Sequence, residues 1–167
     1  MELFKIFKIP TKLGGQIFVF PAPFADKVEN YALHYLQEAA IQCVVNLISY
    51  EEWLAFHGAK QQNLYEKNAI DYIHYPIQDF SVPLDDNSFN ELVMSLHGYL
   101  LKGKNVGIHC VGGIGRSGLL TAALLYKQGF KLNTLFDYMS VYRGRKMPDT
   151  AEQILWFKEY VHTLNSH

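Results

Sequence analysis

Apolar positions along this chain follow two alternating periods. Residues 3–9 and 16–20 are β-rich runs, separated by the turn formers Pro10 and Gly14-Gly15, and read as two short strands. Asp26 with Glu29 three residues on is a capping pair expected to open a helix whose inner face carries Val28, Ala32, Tyr35 and Ala39. Residues 43–48 form another strand-like run, and Ser49-x-x-Glu52 after it is a capping box that starts a helix through Trp53. A further strand is expected over residues 70–77. Ser88-x-x-Glu91 then opens a helix carrying Leu92, Leu96, Tyr99 and Leu100, with Gly103 as its stop. Residues 105–109 read as a buried strand with Val106 and Ile108 at its apolar positions.

From Arg116 onward the period is helical throughout. Leu119, Leu120, Ala123 and Leu124 make one stripe, Leu132, Leu135, Phe136 and Met139 a second, and Ile154, Phe157, Val161 and Leu164 a third. No internal repeat, low-complexity segment or Gly/Ser linker interrupts the alternation, so the pattern predicts a single α/β domain over residues 1–167.

Composition narrows the chemistry. With 49% hydrophobic and 19% charged residues in 167, the chain has the means to bury a core. A net charge of −1 exerts no bulk pull on nucleic acid or an anionic membrane, so no nucleic-acid partner is expected and anion recognition must be local. Cys43 and Cys110 lie far apart and outside any metal-ligand spacing, which argues against a disulfide framework or zinc site and for a reducing compartment. Lys5 and Lys8 break the apolar N-terminal stretch, and no run approaches the ~20 residues of a membrane span. A cytoplasmic location without cofactor or membrane span is expected, export by a route lacking a cleavable signal remaining open.

The most informative segment is His109-Cys110-Val111-Gly112-Gly113-Ile114-Gly115-Arg116-Ser117-Gly118, at a strand-to-helix junction. Three glycines let the backbone curl until its N–H groups converge on one anion, and the following helix adds the partial positive charge of its N-terminus. A cysteine at the start of such a loop sits in a field favouring thiolate over thiol, which makes Cys110 the candidate nucleophile. Arg116 returns to the rim with a planar fork that matches two phosphate oxygens. Gly113-x-Gly115-x-x-Gly118 also fits a dinucleotide fingerprint, but the acidic residue at the required distance, Asp137, falls in a helical pattern rather than at a strand end. A Walker A loop fails on glycine spacing and on arginine before Ser117.

Phosphoryl transfer to sulfur needs a proton donor for the leaving oxygen, and Asp79 stands between a strand and a capped helix. Asp71, Asp85 and Asp86 compete for the role, the last two also reading as solvated residues before a helix.

H-C-x-x-G-x-G-R-S/T-G resembles the signature of the cysteine-dependent protein tyrosine phosphatases, in the form common in their dual-specificity branch. Pro76-Ile77-Gln78-Asp79-Phe80-Ser81-Val82-Pro83 is similar to that family's general-acid segment. The similarity runs from about Gln16 to the last helix and is strongest to small atypical dual-specificity phosphatases and kinase-associated phosphatase. The resemblance implies a central, mostly parallel sheet flanked by helices, and hydrolysis of phosphomonoesters on phosphoprotein through a phosphocysteine, without metal. Phosphotyrosine is the expected substrate, phosphoserine and phosphothreonine remaining open, and phosphate or vanadate should occupy the loop. Asp79 takes the acid role; Val111, Gly112, Gly113, Ile114, Gly115 and Arg116 bind the phosphate; Ser117 hydrogen-bonds the Cys110 sulfur, with a helix cap as its alternative; and His109 orients the loop.

Thr150-x-x-Gln153 is either a loop facing the hydrolytic water, by resemblance, or a capping box, and the cap is preferred. Arg143, Arg145 and Lys146 either favour anionic substrates or form a solvated helix end, and Cys43 reads as core. A phosphate-binding protein without turnover, an RNA 5′-triphosphatase and a phosphoinositide phosphatase stay open at this stage, because fold does not determine substrate.

Overall fold

Strand β1 (Phe7–Ile9) and strand β2 (Ile17–Phe20) pair antiparallel, with Phe7 opposite Val19. This computed structural model describes residues 4–23 and 26–166. Strand β1 is shorter than the run over residues 3–9 because β2 ends at Phe20, and Pro21 beyond it has no N–H to extend the ladder. Residue 3 lies outside the described residues.

Helix α1 (Asp26–Glu38) follows, and its buried face is Ala32, Leu33 and Leu36, with Tyr35 and Ala39 only half-buried. The side chains of the expected capping pair Asp26 and Glu29, and of Val28, lie outside the described residues. Strand β3 (Ile41–Asn46) leads through buried Leu47 and Ile48 to helix α2 (Tyr50–Ala55), where the Ser49–Glu52 capping box is complete. Helix α3 (Gly58–Lys67) was not anticipated. His57 before it takes a left-handed backbone that turns the chain, Tyr65 packs the helix against the sheet side, and buried Gln61 donates to the Pro23 and Phe56 carbonyls.

Strand β4 (Asp71–His74) covers the first part of the run expected over residues 70–77. Its extension continues as isolated bonds, Tyr75 N–H to the Asn46 carbonyl and Ile77 N–H to the Leu47 carbonyl, with Pro76 between them unable to donate.

Helix α4 (Asp86–Leu101) begins before the expected Ser88 cap. Asp85 is its N-cap, accepting from the Asn87 and Ser88 N–H groups at 3.1 Å each, and Asp86 adds negative charge to the first turn. Strand β5 (Asn105–His109) appears as predicted. After it come helix α5 (Gly115–Lys127), helix α6 (Leu132–Arg143) and helix α7 (Ala151–Asn165). The α7 face turned inward is Gln153, Phe157, Tyr160 and Val161, while Ile154 is half-buried and Leu164 exposed.

The sheet order is β1-β2-β5-β3-β4, and every pairing except β1 with β2 is parallel. Helices cover both faces. Leu33 and Leu36 of α1 and Tyr65 of α3 pack with Phe20 and Val44 on one side, and the apolar faces of α4 to α7 pack with Val19, Val45, Val106 and Ile108 on the other. Every residue of α5 from Gly115 to Leu125 is buried, so the helix after the glycine-rich loop runs through the middle of the molecule. This is the α/β domain that the apolar pattern predicted, with the mostly parallel sheet that the resemblance implied. Parallel sheets of this kind hold ligands at the carboxyl ends of their strands, and the Cys110 loop leaves the carboxyl end of central β5.

Candidate active site

Residues 110–116 connect β5 to α5 in a tight curl that depends on glycine at position 113. Gly113 has φ +68°, and a Cβ there would stand 2.5 Å from the Phe20 carbonyl oxygen. A Cβ on Gly115 would stand 2.6 Å from an Asp149 carboxylate oxygen. The curl is held from outside by its carbonyls. Ala22 N–H donates to the Val111 carbonyl at 3.0 Å, and Arg143 donates from Nε to the Gly113 carbonyl at 2.9 Å and from Nη2 to the Gly112 carbonyl at 3.0 Å. With the oxygens engaged on the outer side, the N–H groups of Val111, Gly112, Gly113 and Ile114 are left for an anion, and none of them bonds to another described residue.

Arg143 therefore differs from the reading that grouped it with Arg145 and Lys146 at a solvated or substrate-facing helix end. It is buried behind the loop, with its guanidinium 4.0 Å from the Phe7 ring centroid. Arg145 and Lys146 are exposed.

Cys110 is buried at the base of the curl, and the Ser117 hydroxyl donates to its sulfur at 3.2 Å. Ser117 is thus brought to the sulfur as implied; it lies within α5, whose N-cap is Ile114. His109 stacks on Phe20 and places Nδ1 3.1 Å from the Cys110 carbonyl. Burial, offset in part by that carbonyl and reinforced by His74 and Arg116, pulls the imidazole down to about 4. It is neutral at physiological pH and holds the backbone at the nucleophile.

Ile114 and Val111 part company. The Ile114 side chain is buried within the main core, while Val111 stays half-buried.

Arg116 is 2% exposed, and its guanidinium is held by groups from two other segments. Nη1 donates to Glu52 Oε2 at 2.7 Å and to the Ile77 carbonyl at 2.8 Å, and Nη2 donates to Glu52 Oε1 at 3.3 Å. Burial works against its charge, but Glu52, Cys110 and Asp79 outweigh it and hold the guanidinium above its ordinary value. The Glu52 role was missed in the sequence, where the capping box already accounted for the residue. Trp53, stacked between Tyr50 and His74 and donating to the Tyr72 hydroxyl, seats α2 so that Glu52 points at Arg116.

Asp79 arrives on the segment after β4. Its Oδ1 accepts the Phe80 N–H at 3.0 Å and lies 3.3 Å from Arg116 Nη2, and its side chain is about half exposed. The rival carboxylates are accounted for elsewhere: Asp85 caps α4, Asp86 lies in its first turn, and Asp71 accepts from the Tyr99 hydroxyl.

Gln153 completes the Thr150 capping box, so the preferred structural reading of that pair matches the geometry. Cys43 is core, its thiol pushed up to about 12 by burial and by Asp71. Among the described residues no group of His, Cys, Asp and Glu side chains is arranged to hold a metal ion, and no helix is long and apolar enough to cross a membrane.

Residues 25–162 match the family described as dual specificity phosphatase, catalytic domain. The tyrosine-protein phosphatase CDC14 of Candida albicans is 27% identical over 138 residues, covering 79% of this chain and 24% of its own length. This chain thus spans about a quarter of that relative. The crystal structure of kinase associated phosphatase with a serine at its catalytic-site cysteine superposes with TM-score 0.87 at 22% identity, covering 100% of this chain and 99% of the other. PTPMT1 in complex with PI(5)P superposes with TM-score 0.76 at 14% identity over 99% and 98% of the two chains.

Proposed function

The chain belongs to the dual specificity phosphatase family, and on that premise we propose that it hydrolyses phosphomonoesters on phosphoproteins, phosphotyrosine foremost, through a phosphocysteine. One observation carries the proposal. The Cys110 sulfur lies under the Ser117 hydroxyl at the base of a loop whose carbonyls are bonded outward and whose N–H groups are left for a phosphate.

In the first step the Cys110 sulfur attacks phosphorus and the bond to the leaving oxygen breaks. Asp79 gives that oxygen its proton, while the loop N–H groups and Arg116 hold the equatorial oxygens. In the second step water attacks phosphorus, Asp79 takes a proton from it, and the sulfur–phosphorus bond breaks. Negative charge returns to the sulfur, where the Ser117 hydroxyl stabilises it. None of these steps draws on a metal.

An inositol-lipid substrate is the second reading, favoured by the fold shared with PTPMT1, whose complex contains PI(5)P. A headgroup bearing several phosphates gains from cations that face the pocket. The residues between Cys110 and Arg116 carry none, and the buried Arg143 is committed to loop carbonyls and the Phe7 ring. Only Arg145 and Lys146 remain exposed on that stretch. The deciding experiment compares kcat/KM for a phosphotyrosine peptide and a short-chain phosphatidylinositol phosphate at one salt concentration. A clear peptide preference is expected, and a tenfold lipid preference overturns the phosphoprotein reading.

A further inference from the structure

Gln153 uses the two ends of its amide on different parts of the site. Oε1 accepts the N–H groups of Asp149 at 3.1 Å and Thr150 at 3.2 Å, and the Thr150 hydroxyl accepts the Gln153 N–H at 3.1 Å. Nε2 donates in the opposite direction, to the Ser81 carbonyl at 3.0 Å, two residues beyond Asp79. The side chain is fully buried and lies against the cradle, since a Cβ on Gly115 would be 3.1 Å from both amide atoms.

A capping box needs only an acceptor at this position, and glutamate supplies one as well as glutamine. The donor end is surplus to the cap. Among the described residues, the polar contacts tying residues 78–84 to the rest of the protein are Asp79 with Arg116 and Ser81 with Gln153, since the remaining bonds of Phe80 and Ser81 stay inside the segment. When a phosphate draws the Arg116 fork to itself, the first of these contacts weakens. The Gln153 bond is then what keeps Asp79 over the cradle.

We infer that Gln153 is a positioning residue for the proton donor: a latch from the last helix to the acid-bearing segment. The inference rests on the reading of Asp79 as the donor, and it departs from the alternative in which Gln153 faces the hydrolytic water, because Oε1 is filled by the Asp149 and Thr150 N–H groups and Nε2 is held by the Ser81 carbonyl.

Gln153→Glu separates latch from cap, keeping the acceptor and deleting the donor. Thr150→Ala does the reverse. Amide hydrogen exchange over residues 78–84 is measured in a Cys110→Ser background, so that it does not depend on turnover. Leaving-group dependence of kcat is measured on aryl phosphates in the otherwise native chain. For Gln153→Glu we expect exchange in the segment to rise about tenfold and kcat for poor leaving groups to fall about tenfold, with good leaving groups changed less than about twofold. The ratio to wild type should recover at acid pH, where the introduced carboxyl is protonated and can donate again. Thr150→Ala should lower the melting temperature and shift neither readout. If Gln153→Glu does not fold, Gln153→Met removes both amide ends, and the part of its effect on exchange and leaving-group dependence that Thr150→Ala, which weakens the cap alone, does not reproduce reads the latch.

Wild-type exchange and leaving-group dependence in the Gln153 variant overturn the inference, as does a Thr150→Ala variant that reproduces its effects. Accumulation of the phosphocysteine in Gln153→Glu overturns it in favour of the water-facing role. A wild-type chain that hydrolyses no aryl phosphate defeats the proposed function instead, and the exchange experiment still reads the latch.

Discussion

Glu52 grips Arg116 across 64 residues of sequence, with Oε2 2.7 Å from Nη1 and Oε1 3.3 Å from Nη2. The same Oε2 accepts the Ser49 N–H at 2.7 Å, so one carboxylate caps α2 and aims the phosphate clamp. Burial raises the Glu52 carboxyl, but the Arg116 and Ser49 hydrogen bonds outweigh it and leave the group below the usual carboxylate range.

Glu52→Gln is expected to lower stability at pH 7 by about 2 kcal/mol, through loss of a charge-assisted pair at a buried arginine. Because the folded carboxyl titrates below its unfolded value of about 4.3, the stabilisation is complete above that value and is lost as pH falls through the folded one. Denaturant titrations from pH 6 to pH 3 should show a shallower decline for the variant. Parallel curves would mean the pair contributes nothing to folding. Its kcat/KM should also drop, as the Arg116 fork loses its support.

Ser117→Ala removes the hydroxyl 3.2 Å from the Cys110 sulfur. The sulfur bears returning charge only in the second step, so that step should slow more than the first. Stopped-flow with a good leaving group should then show a stoichiometric burst followed by slow turnover, and equal slowing of both phases would place the hydroxyl elsewhere in the mechanism. Cys110→Ser should bind phosphate esters yet turn over at less than about 1% of wild type, a hydroxyl being the weaker nucleophile.

Asp79→Asn should reduce kcat at least about a hundredfold for alkyl-like leaving groups, the scale of a positioned proton donor, with little change for those that depart unprotonated. The check is the slope of log kcat against leaving-group basicity. If the steep slope appears in Asp85→Asn instead, the α4 cap residue would have a second role that its bonds to Asn87 and Ser88 do not suggest.

Arg143→Lys keeps a charge but cannot span the Gly112 and Gly113 carbonyls as the fork does. We expect weaker vanadate inhibition together with a loss of about 2 kcal/mol in stability, since the buried Gly113 carbonyl and the partly buried Gly112 bond lose their bidentate donor. Unchanged inhibition in a folded variant would show that the cradle holds its shape without this support.

His109 titrates near 4 in the folded chain because burial excludes its charge, against about 6.5 when unfolded. The unfolded state therefore binds the extra proton between these limits, so stability is complete above about 6.5 and declines toward pH 4 by an amount on the order of 3 kcal/mol. His109→Gln should flatten that part of the profile, although His74 and His97, also shifted down by burial, retain a share. A profile identical to wild type would contradict a neutral buried imidazole.

The strands, the later helices and the curl at Cys110 were legible because their causes are local. Alternating apolar positions mark β5, the 3.6-residue stripes mark α5 to α7, and Gly113 is what a left-handed turn against the Phe20 carbonyl demands. Capping chemistry was legible for the same reason, at Ser49–Glu52 and Thr150–Gln153. It failed at α4, where Asp85 competed successfully with Ser88 for the first-turn N–H groups. Helix α3 was hidden because it starts at a glycine without a side-chain cap and its polar sequence buries only Gly58, Gln61 and Tyr65.

What tertiary structure alone decided is which distant groups meet. Placing β5 between β2 and β3 brings the cradle to the sheet centre, and the α2 and β4 connections then deliver Glu52, the Ile77 carbonyl and Asp79 to Arg116. The chain order records none of these encounters. An arginine seeking a carboxylate has no preferred sequence distance, so Glu52 read as a cap, Arg143 as a substrate-facing cation or a solvated helix end, and Gln153 as a cap or a water-facing group. Each acquires its second partner from strand order and helix packing, long-range relations set by the burial of apolar faces.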